Sequence, residues 1–160
     1  ATLAAALALA TAAPVPAGLA ARDTLRLEMG YPLYGNELSR ERSPIEAGLG
    51  WVCATRTEFE GAERIRRDVQ EGTAEELVMF ELTEPGIPRS GCGVLVDGEV
   101  VGTVTSGTLS PSRDVGFGLA YVRRDLTEPG TAITIDIRGK HRGAVVRTRP
   151  LIDISPRRSA

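Results

Sequence analysis

The sequence predicts an α+β chain: a helical N-terminal third, then a small antiparallel β-barrel or sandwich. Three observations carry this reading. The first 54 residues hold apolar segments at helical spacing, punctuated by Pro and Gly. One amphipathic segment follows them. From Leu77 onward, about six short apolar or alternating runs are separated by Gly- and Pro-containing turns.

Taken in order, residues 1–13 are small and apolar, and no charge precedes Arg22. They are similar to the apolar region of a secretory signal, but no basic stretch precedes them and there is no initiating Met. They are too short and Ala-rich for a membrane span. A packed helix fits: Ala has the highest helix propensity, Leu3, Leu7 and Ala10 share a face, and Pro14 and Pro16 stop it. A chain that opens within a helix, without Met, is expected to be a fragment. A second helical stretch is expected over 22–29, then a loop through Tyr34 and Gly35. The next helix is signalled by Thr57 and Glu60, spaced as a capping box. Phe59, Ala62, Ile65 and Val69 repeat at helical spacing, Glu60/Arg64 and Glu63/Arg67 are favourably oriented pairs, and Gly72 ends it.

In the third zone 77–82 is an apolar run. The runs 94–96 and 100–104 flank Asp97-Gly98, a hairpin signal. Another strand is expected over 117–122. Ile133, Ile135 and Ile137 alternate with Thr134, Asp136 and Arg138, giving one buried and one wet face. Gly139-Lys140 turns the chain into a last strand over 144–149.

The net charge of −2 gives no global sign of nucleic-acid binding. Arg outnumbers Lys 18 to 1, a genomic bias rather than a function. From Arg138 to Ala160, seven basic residues face Asp153 alone. That run could meet an anion or an acidic partner, but its ordinary reading is a solvated strand face and a loose terminus. Cys53 and Cys92 make no disulfide framework. With His141 as the only histidine, no protein-built metal site is visible, and a reducing compartment fits best.

Catalytic signals are poor. Ser106 and Ser110 lie in a Ser/Thr/Gly-rich turn with no nucleophile-elbow pattern. His141, in a basic hairpin turn, is a weak general base. Gly86, Gly91 and Gly93 precede a strand rather than open a helix, so they make no dinucleotide site. The strongest local feature is Gly18-Leu19-Ala20-Ala21-Arg22-Asp23-Thr24-Leu25-Arg26-Leu27-Glu28. Arg22 and Arg26 are four apart and can share a helical face, and a guanidinium fork suits carboxylates. Equally, both can pair with Asp23, Glu28 or a neighbouring domain.

This run resembles the Gly-x-x-Ala-Arg-Asp-x-x-Arg-Leu-Glu segment of the glycine cleavage T-protein family, the aminomethyltransferases. Tyr31-Pro32-Leu33-Tyr34-Gly35-Asn36-Glu37, Ser43-Pro44-Ile45-Glu46-Ala47-Gly48-Leu49-Gly50-Trp51, Phe59-x-Gly61, Gly86-Ile87-Pro88-Arg89 and Gly98 through Gly107 with Ser110-Pro111 resemble the blocks that follow it, in order and spacing. The resemblance implies the C-terminal portion of such a protein: the end of a folate-binding α+β body followed by an antiparallel β-barrel. By it, residues 1–54 are the last piece of the body, 55–76 a connecting helix, 77–154 the barrel and 155–160 a basic tail.

It further implies transfer of a one-carbon unit from the aminomethyl-lipoyl arm of H-protein to tetrahydrofolate, releasing ammonia and giving methylenetetrahydrofolate. Arg22 matches the arginine that pairs with folate's glutamate carboxylate. Tyr31 matches a position where some members set an aromatic against the folate, as aromatic stacking permits, although plain packing is equally open. Trp51 and Tyr34 match positions read as core anchors. Nothing here matches the catalytic aspartate, which lies upstream, so this chain has no catalytic residue and alone is expected to be inactive. Ala20 replaces a family glycine. Pro150 is followed by Leu151, Ile152 and Asp153 instead of an aromatic and Arg, leaving Arg157 or Arg158 to substitute. Two alternatives stay open: the folate module of a dimethylglycine or sarcosine dehydrogenase, and a non-catalytic folate-binding or interaction module. The family implies bacterial cytoplasm or mitochondrial matrix.

Overall fold

The computed structural model describes residues 15–152. The Ala-rich helix expected over 1–13 and the basic tail, with Arg157 and Arg158, lie outside them. Among the described residues no helix is long and apolar enough to cross a membrane.

Helix α1 is Leu19–Glu28, one turn longer at its start than expected. It closes on hydrogen bonds from the Gly30 amide to Leu27 O (2.8 Å) and from the Tyr31 amide to Arg26 O (2.8 Å). An irregular segment follows, carrying a single bridge between Tyr34 and Leu38 and a 3₁₀ turn at Gly50–Val52. Helix α2 is Ala62–Glu71, with Gly72 as its C-cap.

The expected capping box does not form. Gly61 occupies the N-cap at φ 89° with no side-chain cap, and the Thr57 hydroxyl donates back to Ala54 O. Nor does an apolar stripe seat α2: Ala62 is buried, but Phe59 and Val69 are exposed. The pairs Glu60/Arg64 and Glu63/Arg67 are not among the ion pairs of the described residues. Arg64 instead reaches Glu46 and Asp68, and Arg66 donates to Thr55 O and Thr57 O. Apart from the Arg64–Asp68 pair along α2, these arginines find acceptors off the helix, whose charge-assisted bonds outweigh the weak pairs expected along it.

Six strands follow: β1 Glu75–Leu82, β2 Gly93–Val96, β3 Glu99–Ser110, β4 Val115–Arg123, β5 Ala132–Ile137 and β6 Lys140–Arg147. They close into an antiparallel barrel in the order β1-β4-β3-β2-β5-β6. The Asp97-Gly98 hairpin forms as expected, with both residues at positive φ (52° and 83°), the conformation that joins two strands through a two-residue turn. Strand β6 begins at Lys140, earlier than expected, because the turn sits on Arg138 and Gly139, also both at positive φ.

Alternation explains the packing. Val78, Phe80 and Leu82 of β1 and Ala120 and Val122 of β4 fill the barrel with Val94, Val104, Ile133, Ile135 and Val146. The intervening residues Leu77 and Met79, with Phe117, Leu119 and Tyr121 of β4, point outward, where Leu27, Ala47 and Leu151 cover them. Hydrogen bonds from the Leu77 amide to Glu46 O and from the Leu151 amide to Glu28 O (each 2.8 Å) fasten that cover. Strands buried on both faces read as near-continuous apolar runs, as 117–122 does and as 77–82 does apart from Glu81, a buried carboxylate that pairs with Arg113 and Arg147. The seam also needs Gly118, since a Cβ there would strike Ser106 O and lie 3.0 Å from Gly107 Cα and the Phe80 ring.

Candidate functional site

Strand β3 runs to Ser110, so Ser106 and Ser110 lie on a strand and not in the turn the sequence suggested. A bulge explains where they point. Val104 pairs with Ala120 and Ser106 with Leu119, so Thr105 is an extra residue opposite β4. Val104 faces the barrel interior. Without the bulge, Ser106, two positions on, would face it too. With it, Ser106 and Ser110 turn outward toward α1.

There they meet two buried carboxylates. Glu28, the last residue of α1, accepts hydrogen bonds from the hydroxyls of Ser110 and Ser112 and from the Ser112 amide (3.3 Å). Glu37 accepts from Ser106 Oγ at 2.6 Å, from Arg26 Nη1 at 2.8 Å and from the Leu33 amide at 2.8 Å. Arg26 also donates through Nε to Asp23 (2.7 Å), through Nη1 to Tyr31 O (3.2 Å) and through Nη2 to Ser106 Oγ (2.8 Å). Asn36 adds a bond to Ser106 Oγ at 3.0 Å. A buried polar network of this kind is stable only when its members are satisfied, and these are. The sequence showed Ser106 and Ser110 as polar turn residues, offered Glu28 as a partner for Arg22 or Arg26 where the structure gives it to Ser110 and Ser112, and gave Glu37 no role. The spacing of Ser106 and Ser110, two alternations apart, was the available signal.

The Tyr121 hydroxyl donates to Glu37 O at 3.0 Å, and the Arg42 guanidinium lies 4.0 Å from its ring centroid. Burial raises the Tyr121 phenol from 10.0 to about 12. The unfolded chain releases this proton above about pH 10 while the folded chain holds it. Stability is therefore fully present below about pH 10 and falls by about 2–3 kcal/mol as pH rises to about 12. Urea unfolding across that range is expected to show the decline, and Tyr121→Phe to remove it. The same slope in the Phe variant would assign the titration elsewhere.

Arg22 lies in the first turns of α1, exposed, and among the described residues it forms no ion pair or side-chain hydrogen bond. Tyr31, just past the other end of α1, is 58% exposed, with its backbone held at N–H and C=O by Arg26. The pairing alternatives the sequence left open for the two arginines thus divide: Arg26 is consumed by Asp23 and Glu37, and Arg22 faces outward. Trp51 and Tyr34 are not core anchors in these residues, being 83% and 70% exposed. They sit on the irregular segment with no strand or helix packed over them. His141 is exposed on β6 opposite Asp136. Cys53 and Cys92 are free thiols, and among the described residues no three His, Cys, Asp or Glu converge as a metal site needs.

Arg149, which the sequence counts in a basic run read as a solvated strand face and a loose terminus, is instead half-buried. Its side chain runs across the bare backbones of Gly30 and Gly48 and donates to Ala47 O at 3.3 Å. Burial lowers its pKa, and among the described residues no carboxylate pairs with it.

The family model described as glycine cleavage T-protein C-terminal barrel domain matches residues 76–153, and the one described as GCVT N-terminal domain matches residues 3–57. An aminomethyltransferase of Bacteroides thetaiotaomicron is 50% identical over 142 residues, covering 84% of this chain and 38% of that protein. A probable aminomethyltransferase of Thermococcus gammatolerans is 44% identical over 147 residues, covering 86% and 37%. Thus the chain spans less than two-fifths of the length of these relatives. The crystal structure of the glycine cleavage system aminomethyltransferase T from Bartonella henselae superposes with a TM-score of 0.84 at 32% identity, covering 93% of this chain and 44% of that one. With both domains of one family matched in order along its length, the chain belongs to the glycine cleavage T-protein family.

Proposed function

We propose that this chain is the C-terminal part of a tetrahydrofolate-dependent aminomethyltransferase. The whole enzyme takes the one-carbon unit from the aminomethyl-lipoyl arm of H-protein, passes it to tetrahydrofolate and releases ammonia. On this reading residues 1–54 complete a folate-binding body whose larger part lies upstream, 55–76 connect, and 77–154 form the barrel. The observation that carries the proposal is the 50% identity to a protein named aminomethyltransferase. Names of that kind favour this reading over a flavin dehydrogenase module.

The residues present would bind and orient rather than perform chemistry. Arg22 would form a charge-assisted, bidentate pair with the glutamate carboxylate of folate; its exposed guanidinium, unpaired among the described residues, is what supports this. Tyr31 would lay its ring against the folate. The leaving amine needs a charged group placed against it. No residue of this chain matches the family's catalytic aspartate, so residues 1–160 alone should turn over no substrate.

Arg22→Ala in the full-length natural protein is expected to weaken tetrahydrofolate binding by about 10- to 100-fold, the loss of a hydrogen-bonded charge pair of about 1.5–3 kcal/mol. Its urea unfolding midpoint should not move. Unchanged affinity in the folded variant would remove Arg22 from the site.

A further inference from the structure

Arg22 and Arg26 lie one turn apart on α1, and among the described residues only Arg26 is spent on the protein itself. Its guanidinium, with a side chain 10% exposed, reaches Asp23 on its own helix, the carbonyl of Tyr31 beyond the helix end, Glu37 in the following turn and Ser106 on β3. All three guanidinium nitrogens are occupied, so Arg26 has no fork left for a ligand. Its bonds instead reach one of the two exposed residues assigned above to folate and the sequence neighbour of the other. Asp23 is the neighbour of Arg22. Tyr31 is held at both backbone groups, its amide by Arg26 O and its carbonyl by Arg26 Nη1. Ser106 then references this unit to the barrel, 80 residues away in sequence.

We propose that Arg26 is a positioning residue for the folate substrate. With Glu37 and Ser106 it fixes the spacing of the Arg22 guanidinium and the Tyr31 ring, touching no part of the substrate itself. The inference rests on the assignment of Arg22 and Tyr31 to folate. Its physical basis is that a bidentate pair and a ring contact on one ligand are jointly strong only when their separation is set beforehand. Lysine cannot do this work. It keeps the charge that Glu37 needs, but a compact ammonium on a flexible stem cannot span Asp23, the Tyr31 carbonyl, Glu37 and Ser106 together.

The test is a double-mutant cycle in the full-length natural protein, reading tetrahydrofolate KM, kcat at saturating folate and the urea midpoint for wild type, Arg22→Ala, Arg26→Lys and the double variant. Arg26→Lys is expected to raise KM by about tenfold. Its kcat should stay within about twofold, because uniform binding is lost and not a contact special to the transition state. In the Arg26→Lys background, Arg22→Ala should cost much less than it does alone, the non-additivity of residues acting as a unit. A lower midpoint with unchanged KM, or additive effects with Arg22→Ala, would overturn the positioning role and leave Arg22 in the site. Unchanged KM in Arg22→Ala would overturn the folate assignment itself and the positioning role with it. If Arg26→Lys does not fold, Ser106→Ala, which keeps the Arg26–Glu37 ion pair, reads the same coupling with the same outcomes.

Discussion

Glu37→Ala is expected to destabilise the protein by about 3 kcal/mol or more, at the lower end of the range for removing one partner of a buried ion pair. The Glu37 side chain is fully buried. Its loss would strand the Arg26 Nη1 donor, the Leu33 amide and the Ser106 hydroxyl together. Asp23, half exposed and still bonded to Arg26 Nε, offsets part of that cost. Glu37→Gln, which keeps an oxygen acceptor but not the charge, should cost about 1–3 kcal/mol. Urea unfolding with an unchanged m-value checks both. A loss under about 1 kcal/mol in the Ala variant would mean that water fills the vacated site and satisfies the network.

Phe117→Ala is expected to cost about 3–5 kcal/mol and to distribute the damage unevenly. Phe117 is fully buried, but on the outer face of β4, packed with Leu27, Met79, Leu119 and Leu151 rather than inside the barrel. The cavity therefore opens between barrel and cover. Amides of α1 should lose hydrogen-exchange protection before those of β5, whose Ile133 and Ile135 belong to the interior cluster. Equal loss in both elements would show that barrel and cover unfold as one unit.

Much of the barrel was legible because local chemistry and tertiary packing agree there. The Asp97-Gly98 turn, the alternating Ile133, Ile135 and Ile137, and the apolar runs 77–80 and 117–122 each carry their own signal. Ser106 and Ser110 look like turn residues because their partners, Glu37 and Glu28, lie far off in sequence and a one-residue bulge decides which way they face. The Thr57/Glu60 capping box fails because Gly61, adopting positive φ, starts α2 later. Arg22 and Arg26 were alike in sequence; the bonds of Arg26 to its helix neighbour Asp23 and to the distant Glu37 and Ser106 separate them. Trp51 and Tyr34 were read as core from size alone, and size does not say which elements are at hand to cover a ring.

The double-sided burial of β1 and β4 limits how freely this barrel can travel. Cut free just before Glu75, it would keep its closed ring of hydrogen bonds yet turn Leu77, Met79, Phe117, Leu119 and Tyr121 to water. A contiguous apolar patch of that kind invites self-association. The unit that can be excised, fused to another protein or exchanged by recombination is thus the barrel together with the preceding segment that brings Leu27 and Ala47. A gene rearrangement that borrows the strands alone must supply a new lid for them.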